Sequence, residues 1–418
     1  MLILYFVMTH ILKGKNQLRV VGVALVLTFL ISYVFAPKNQ KKIWQQNPPE
    51  IWSYTLWGLW AGITGIFICI SMETLTLNFF KFAQVALLLW TVYGIIRMRE
   101  KYDVIYIAII LSAVVQISAV FLGYRYDKNT EDLMTDVSVS DQLRATGLTS
   151  NANSLAQLMV LAVSCALMFW RSQESFFVAS IKKGCIIIFA CVAFYIVLQS
   201  GSRKATLYSA LFIVGWLVWL FPKGTGASAL FLRVGSVVLI LAISGAVLTF
   251  VMDDTIVGKR FAQLMESGGG SVVSGSQEDI RFEMYRDGFR MFLEHPIAGV
   301  GLGHFMLYFW LPMYSHSDYM EPLACTGLVG FLIYHSFYWI IIYRIVKLRS
   351  KSRDTNMRYK LGLMMLTLSI VLLWGVGTPH WPDAIILSLL LTYGTYAWVL
   401  DKKAFTVLPN RRSEIISR

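Results

Sequence analysis

His316 lies in the polar segment SHSDY and has the side chain best suited to acid–base catalysis in this sequence. An imidazole, whose ordinary pKa is about 6.5, can take a proton from a hydroxyl group near neutral pH. Asp318 and Glu321 follow closely, and either carboxylate could orient the ring. A histidine in a surface loop is more often only polar, so His316 is a catalytic candidate that needs support from its surroundings.

Arg203 and Lys204 are adjacent cations in the sequence SGSRKATLYSA. Apolar segments flank them at 183–199 and 205–221, which leaves room only for a tight hairpin at the membrane surface. The exposed N–H groups of a helix that begins near Ala205 would add positive charge. We predict an anion site that suits a diphosphate. The alternative is a pair of solvated cations that bind phospholipid headgroups.

Two further cations, Lys81 and Arg144, are predicted to bind the same kind of substrate. Lys81 lies within an apolar segment, where a charge is costly and normally faces a cavity or a partner. The alternative is that its long side chain reaches the headgroups. Arg144 begins the polar block RATGLTSNANSLAQ.

The long polar stretch 252–325 carries the remaining candidates, with Tyr285, Arg286 and Asp318 predicted to bind the diphosphate or the glycan. The pattern over 279–293 predicts an amphipathic helix, with Arg281 and Tyr285 on one face and Arg286 on its polar side. Its predicted apolar contacts are Ile280, Met284, Phe289, Phe292 and Leu293. A Gly/Ser-rich stretch precedes this helix, and the glycine-rich HPIAGVGLGHF follows it. The Gly-x-Gly-x-Gly run is weak evidence for phosphate binding, because no strand precedes it.

The rest of the chain has the composition of a polytopic membrane protein, with 56% hydrophobic residues and a mean hydropathy of +0.60. A helix needs about 20 apolar residues to cross a bilayer. Eleven segments qualify: 20–36, 51–71, 75–97, 103–124, 153–170, 183–199, 205–221, 229–251, 326–346, 360–377 and 384–400. Met1 to Leu12 is a short twelfth candidate. We therefore predict an all-α protein with about 12 transmembrane helices and one large outer loop.

Lysine and arginine cluster in alternate short loops, which places those loops in the cytoplasm. The outer, periplasmic side then receives the loops 125–152, 200–204, 252–325 and 378–383. This topology predicts N-terminal transmembrane helices at 1–251, the outer loop at 252–325, and C-terminal transmembrane helices with a basic tail at 326–418. The cytoplasmic loops and lipid headgroups account for most of the net charge of +13, so no nucleic-acid partner is implied.

The polar blocks together resemble the O-antigen ligase and O-antigen polymerase superfamily of membrane glycosyltransferases. The blocks are RATGLTSNANSLAQ, GSRKA, RFEMY with HPIAGVGLGHF, and HSDYMEPLACTGLVG, in that order between residues 144 and 330. The resemblance implies a fold similar to the C-type membrane glycosyltransferases and a glycan donor carried on undecaprenyl diphosphate. It also implies transfer to a glycan or lipid A-core acceptor, with membrane lipids around the protein. A separate chain-length regulator is a further partner of a polymerase.

Carried over by position, the resemblance implies diphosphate binding by Arg203 and Arg281 and acceptor activation by His316. The sequence departs from the family in two places. Tyr285 stands where tryptophan is common, which keeps an aromatic ring, and Asp318 stands where asparagine is common, which exchanges an amide for a carboxylate. The resemblance also implies an inverting reaction without a metal or another cofactor.

Polymerase and ligase use the same donor, and the HSDYMEPLACTGLVGFLIYH block resembles polymerases slightly more. A lipid-linked sugar transporter or flippase is the alternative from another class. Transporters place ionisable residues near the bilayer midplane on two related halves. Here the cations gather towards one face, and no internal repeat is evident. The pattern therefore favours the glycosyltransferase.

Overall fold

The structure, a computed structural model, describes residues 2–11, 16–38, 49–124, 144–149, 151–171, 176–220 and 277–416. These residues form helices and connecting turns, with no strand among them. The predicted all-α class is confirmed for this part of the chain. The predicted segment 229–251 and the first part of the outer loop, 252–276, lie outside the described residues.

The predicted apolar segments within the described residues all overlap helices. The helices are α1 (Leu2–Ile11), α2 (Asn16–Val34), α3 (Pro49–Ile68), α4 (Met72–Arg99), α5 (Asp103–Phe121), α6 (Ala152–Leu167), α7 (Phe176–Gln199), α8 (Arg203–Gly215), α9 (Gln277–Glu294), α10 (Phe305–Tyr308), α11 (Met320–Lys351), α12 (Thr355–Gly375) and α13 (Ala384–Ile416). A π-helical turn, Trp216–Leu220, extends α8.

Seven stretches within the described residues are long and apolar enough to cross a membrane. They are Pro49–Ile68, Met72–Met98, Asp103–Phe121, Phe177–Gln199, Met320–Lys351, Thr355–Gly375 and Ala384–Asp401. Shorter apolar helices cover Gly22–Val34 and Ala152–Leu167. The chain is therefore a multi-pass helical membrane protein, while the count of about 12 spans stays a prediction.

The helices group into two compact units. The first unit comprises 1–23 with 103–272, and the second comprises 24–102 with 273–418. Both units are discontinuous in sequence. The predicted division at 251 and 325 follows membrane topology instead, and it stays a prediction.

In the first unit, α6 packs against α5, α7 and α8. Its residues are buried almost all round, as expected for a helix in the centre of a bundle. An open cleft lies between α6, α7 and α8. Its lining is apolar apart from Ser209.

In the second unit, α11 packs mainly against α3 and α13. Tyr54, Trp57 and Tyr334 are fully buried there and their rings are in contact. Arg344 of α11 forms a 2.8 Å ion pair with the buried Glu50 of α3. These contacts fix the position of α11, which begins directly after the loop that carries His316.

The helix α11 starts at Met320, six residues before the predicted segment 326–346. Hydropathy alone misses this start because the first turn contains the charged residue Glu321. The Ser317 hydroxyl accepts hydrogen bonds from the backbone N–H groups of Tyr319 and Met320, at 3.3 and 3.2 Å. These bonds satisfy donors at the helix start. The polar stretch before α11 therefore ends at Tyr319.

Candidate functional site

His316 is held in a left-handed backbone conformation, with φ of 53°. Such a conformation costs an L-residue other than glycine about 1–2 kcal/mol. Ser315, Ser317 and Asp318 are buried, with at most 2% of their surface exposed, whereas His316 is half-buried. The ring of Tyr314 lies beside the imidazole, with 4.3 Å between the ring centres. Strain of this kind collects at functional sites, so His316 remains the strongest catalytic candidate.

The loop around His316 is fixed by hydrogen bonds on both sides of the histidine. The Ser315 backbone N–H donates to Glu321 Oε2 at 2.7 Å. The Ser317 N–H donates to the Ser315 hydroxyl at 3.3 Å. Glu321 thus holds the backbone at Ser315, directly before His316. Glu321 Oε1 also accepts from the Cys325 thiol at 3.7 Å.

Asp318 is the centre of a buried hydrogen-bond network. Its Oδ1 accepts from the Tyr334 hydroxyl at 2.7 Å and from the His380 backbone N–H at 2.6 Å. Its Oδ2 accepts from the Tyr338 hydroxyl at 2.9 Å. The Asp318 N–H donates to the Gly375 carbonyl at 2.7 Å. Both oxygens therefore serve protein donors, and the geometry fits a structural role for Asp318 better than the predicted contact with substrate.

Sequence reasoning missed Tyr334, Tyr338 and His380. The two tyrosines lie in an apolar span and carry the pattern of core residues. His380 lies in the loop between α12 and α13, 62 residues from Asp318. The only available signal was a histidine between two membrane segments on the same side as His316. The His380 ring is fully buried, and its Nε2 bonds to the Val371 carbonyl at 2.9 Å.

The predicted amphipathic helix is confirmed as α9, and it brings Tyr285 to the loop. The Tyr285 hydroxyl donates to the Val376 carbonyl and lies within hydrogen-bond reach of the Ser317 side chain. Burial raises the pKa of Tyr285 above its ordinary value, while the hydrogen bond from Ser317 and the charge of Arg281 act in the opposite direction. Arg281 and Tyr285 are therefore neighbours beside the histidine loop. Arg286 is exposed and lies 3.8 Å from Asp287.

The buried face of α9 differs in part from the prediction. Met284 and Met291 are buried, but Phe289 and Leu293 are 50% and 62% exposed. A side chain at Gly288 would meet Phe305 and Met320 at 3.2 Å, so the buried stripe runs through 284, 288 and 291. The helix carries two apolar stripes, and hydrophobic periodicity alone does not choose between them.

The glycine-rich segment after α9 is a backbone docking element. The N–H groups of Val300 and Gly301 donate to the carbonyls of Ala324 and Cys325 at 3.0 and 2.9 Å. A Cβ at Gly299 would lie 2.4 Å from the backbone of Cys325 and Thr326. The glycines thus permit close approach of two backbones, which agrees with the weak sequence evidence for phosphate binding.

His304 and Lys81 lie near the start of α4. His304 is fully buried and its Nε2 lies 3.2 Å from the backbone nitrogen of Ser71, as expected for a residue of loop structure. Lys81 is exposed, and its Nζ lies 3.4 Å from Asn78 Oδ1. Asn78 in turn abuts Gly303 of the docking segment. Lys81 therefore lies in the second unit with Arg281, Tyr285 and His316.

Arg144 belongs to the first unit and holds the hairpin that carries Arg203. Its Nε donates to the Ser200 carbonyl at 2.7 Å, and its Nη2 donates to Asn153 Oδ1 at 3.0 Å. The N–H of Ala145 adds a bond of 3.0 Å to the Gln199 carbonyl. The guanidinium therefore joins the polar block before α6 to the end of α7.

Arg203 and Lys204 are the first two residues of α8, slightly earlier than the predicted start at Ala205. Ser202 caps the helix by accepting a hydrogen bond of 3.4 Å from the N–H of Ala205. No acidic residue lies in the first turn. Because the N-terminus of a helix carries partial positive charge, both cations strengthen a positive potential at this end. The hairpin thus has the electrostatics of an anion site.

The fold and these polar groups define a multi-pass helical membrane protein with strained and cationic loops between its apolar helices. Among known protein families, the O-antigen ligase family matches residues 186–335. This match confirms the predicted resemblance to the O-antigen ligase and polymerase superfamily over that region. The matched region contains the α8 hairpin, α9 and the His316 loop, whereas Lys81, Arg144 and His380 lie outside it. A search of curated proteins gave no match.

Proposed function

We propose that this protein is a membrane glycosyltransferase. It would transfer a glycan from undecaprenyl diphosphate to an acceptor sugar hydroxyl at the outer face of the cytoplasmic membrane. The observation that carries the proposal is the presentation of His316 on a strained loop with buried flanks, within the region that matches the O-antigen ligase family. Enzymes commonly hold a general base on such a rigid support.

His316 is the proposed general base of the transfer. The acceptor oxygen attacks the anomeric carbon while His316 takes the hydroxyl proton. The bond between that carbon and the diphosphate oxygen breaks, and the electron pair leaves on the diphosphate. A direct displacement of this kind inverts the anomeric carbon. Arg281, beside Tyr285, lies near the same loop and is proposed to bind the charged part of the donor.

Arg203 and Lys204 are the proposed ligands of the diphosphate in the first unit, together with the N-terminus of α8. Cations that face a departing diphosphate stabilise its developing charge and can replace a metal ion in that role. Arg144 is assigned a supporting role, because two of its N–H groups hold the hairpin. Lys81 and Arg286, which are exposed, are proposed to contact the glycan or the headgroup region.

The cleft between α6, α7 and α8 supports a lipid-linked donor. Val197 and Ser209 line it, and each lies within about two helical turns of the hairpin that carries Arg203. The rest of the lining is apolar. A cleft with these properties suits an isoprenoid chain whose diphosphate lies at the hairpin.

The distribution of lysine and arginine supports the proposed orientation, with the His316 loop on the periplasmic side. Within the proposed class we favour a polymerase, on the resemblance of the HSDYMEPLACTGLVG block. The experiment distinguishes this polymerase from two alternatives, which are ligation to lipid A-core and transport of a lipid-linked sugar.

The test uses purified protein with a synthetic undecaprenyl-diphosphate-linked repeat unit, first alone and then with lipid A-core. A ladder of products from the donor alone supports a polymerase, and a product only with lipid A-core indicates a ligase. The absence of product with both would contradict a glycosyltransferase and direct attention to transport. His316→Ala should lower kcat by about 100-fold or more. The control is His295→Ala, an exposed histidine at the end of α9.

A further inference from the structure

Four residues of the second unit converge beside His316: Asp318, Tyr334, Tyr338 and His380, which we call the Asp318 cluster. All four are buried, with at most 2% of their surface exposed. Besides their bonds to Asp318, the hydroxyls of Tyr334 and Tyr338 lie 3.0 Å apart. The cluster therefore joins the histidine loop, the span α11 and the loop before α13.

We propose that the Asp318 cluster positions His316 for proton transfer. Asp318 lies two residues after His316 and is bound through both its backbone and its side chain. Its N–H is fixed to the end of α12, and its carboxylate is fixed to α11 and to His380. A left-handed residue persists only where the surrounding structure determines it fully. The cluster supplies that constraint on one side of His316, and the bond between Ser315 and Glu321 supplies it on the other.

The chemistry of the cluster favours a positioning role over simple packing. Burial of a carboxylate costs free energy that hydrophobic residues of similar volume would not cost. Here the carboxylate receives three donors that arrive from two separate parts of the chain. Gly375 belongs to the same arrangement, because a Cβ there would lie 3.1 Å from the Cβ of Asp318. The directions of these bonds fix the loop more closely than an apolar contact would.

The inference rests on the proposed function, since positioning has meaning only if His316 acts in transfer. The test variant is Tyr338→Phe, which removes one donor to Asp318 and leaves the ring in place. Tyr334 and His380 still bind the other carboxylate oxygen. The matched control is Tyr343→Phe on the same helix, whose ring is 64% exposed.

Two measurements are made on each variant. Hydrogen exchange of peptides that contain 314–319 reports whether the loop is still held. Steady-state kinetics report kcat and the KM for the lipid-linked donor. Tyr338→Phe should increase exchange in these peptides and lower kcat by about tenfold or more, because small misplacements of a catalytic group are costly. The donor KM should change by less than about twofold, since the interaction acts on the chemical step.

A loss of folded protein alone would lower the yield without changing kcat per folded molecule. Unchanged exchange would overturn the proposal, and so would increased exchange with an unchanged kcat. In a His316→Ala background, Tyr338→Phe should cause no further loss, and an additive loss would contradict action through His316. If the unaltered protein transfers no glycan, the proposed function fails and the positioning role fails with it. The exchange data would still show whether the cluster holds the loop.

Discussion

The left-handed backbone at His316 predicts that His316→Gly and His316→Ala differ in stability although both lack the imidazole. Alanine at φ of 53° keeps the cost of about 1–2 kcal/mol, whereas glycine removes it. Glycine also increases the entropy of the unfolded chain, at a cost of about 0.4–1 kcal/mol. The glycine variant should therefore be more stable than the alanine variant by roughly 0.5–1 kcal/mol. Both should lose about 100-fold or more of kcat, so the strain would be a cost of presenting the imidazole.

Two control positions test the sign of the stability difference between the glycine and alanine variants. Glu100 also has a positive φ, of 49°, at the end of α4, so Glu100→Gly should be more stable than Glu100→Ala. His295 is exposed and has no positive φ, so His295→Gly should be less stable than His295→Ala. Unfolding is followed in detergent by tryptophan fluorescence, and transfer activity is measured on the same samples. The reasoning is refuted if the glycine–alanine difference has the same sign at His295 and His316.

Three further substitutions test the elements around the site. Gly299→Ala should destabilise the protein by on the order of 2–4 kcal/mol in thermal or denaturant unfolding, because the Cβ would overlap the backbone of Cys325 and Thr326. Burial raises the pKa of Tyr285 in the folded protein. Its contribution to the free energy of unfolding is therefore complete below about pH 10 and is lost as the pH rises through the folded pKa. Tyr285→Phe should reduce this loss of stability above about pH 10, as measured by unfolding at a series of pH values. Arg144→Lys should raise the donor KM in the transfer assay, because a lysine does not keep both bonds of the guanidinium.

Each of these substitutions has a matched control in the chain. Gly184→Ala adds a Cβ in α7 with no atom within 4 Å, and it should be neutral or stabilising. Tyr343→Phe removes a hydroxyl from an exposed side chain and should change the stability little. Arg290→Lys changes an exposed arginine and should keep the donor KM. Equal effects in a test variant and its control would remove the corresponding structural explanation.

Hydropathy predicted the helices of this protein well because a membrane helix is a local property. Every backbone N–H and C=O group in a span must be hydrogen-bonded within the span itself. A run of about 20 apolar residues is therefore enough to predict a transmembrane helix. The start of α11 was predicted too late for the same reason. Its first turn contains Glu321, which is buried by virtue of a hydrogen bond to Ser315 that hydropathy does not detect.

The candidate site was predictable only as far as its local signals reach. His316 was found because it is an ionisable side chain in a polar segment just before an apolar span. The bond that joins Asp318 to His380 spans 62 residues, and no pattern in a single sequence pairs such positions. Tyr334 and Tyr338 are spaced i, i+4 on a span, where the same spacing predicts ordinary core packing. The network thus became visible only when the chain was folded.

The cations of the first unit show how structure separates two explanations that sequence treats alike. Arg144 was predicted to run against the topology bias, but it lies at the C-terminal end of α7 and donates to the Ser200 carbonyl, where a cation is stabilised by the helix dipole. Its position is therefore explained by architecture. Arg203 and Lys204 lie at the opposite kind of helix end, where the dipole disfavours them. Local helix electrostatics oppose these two cations. Binding of an anionic ligand therefore explains the presence of Arg203 and Lys204 better than it explains that of Arg144.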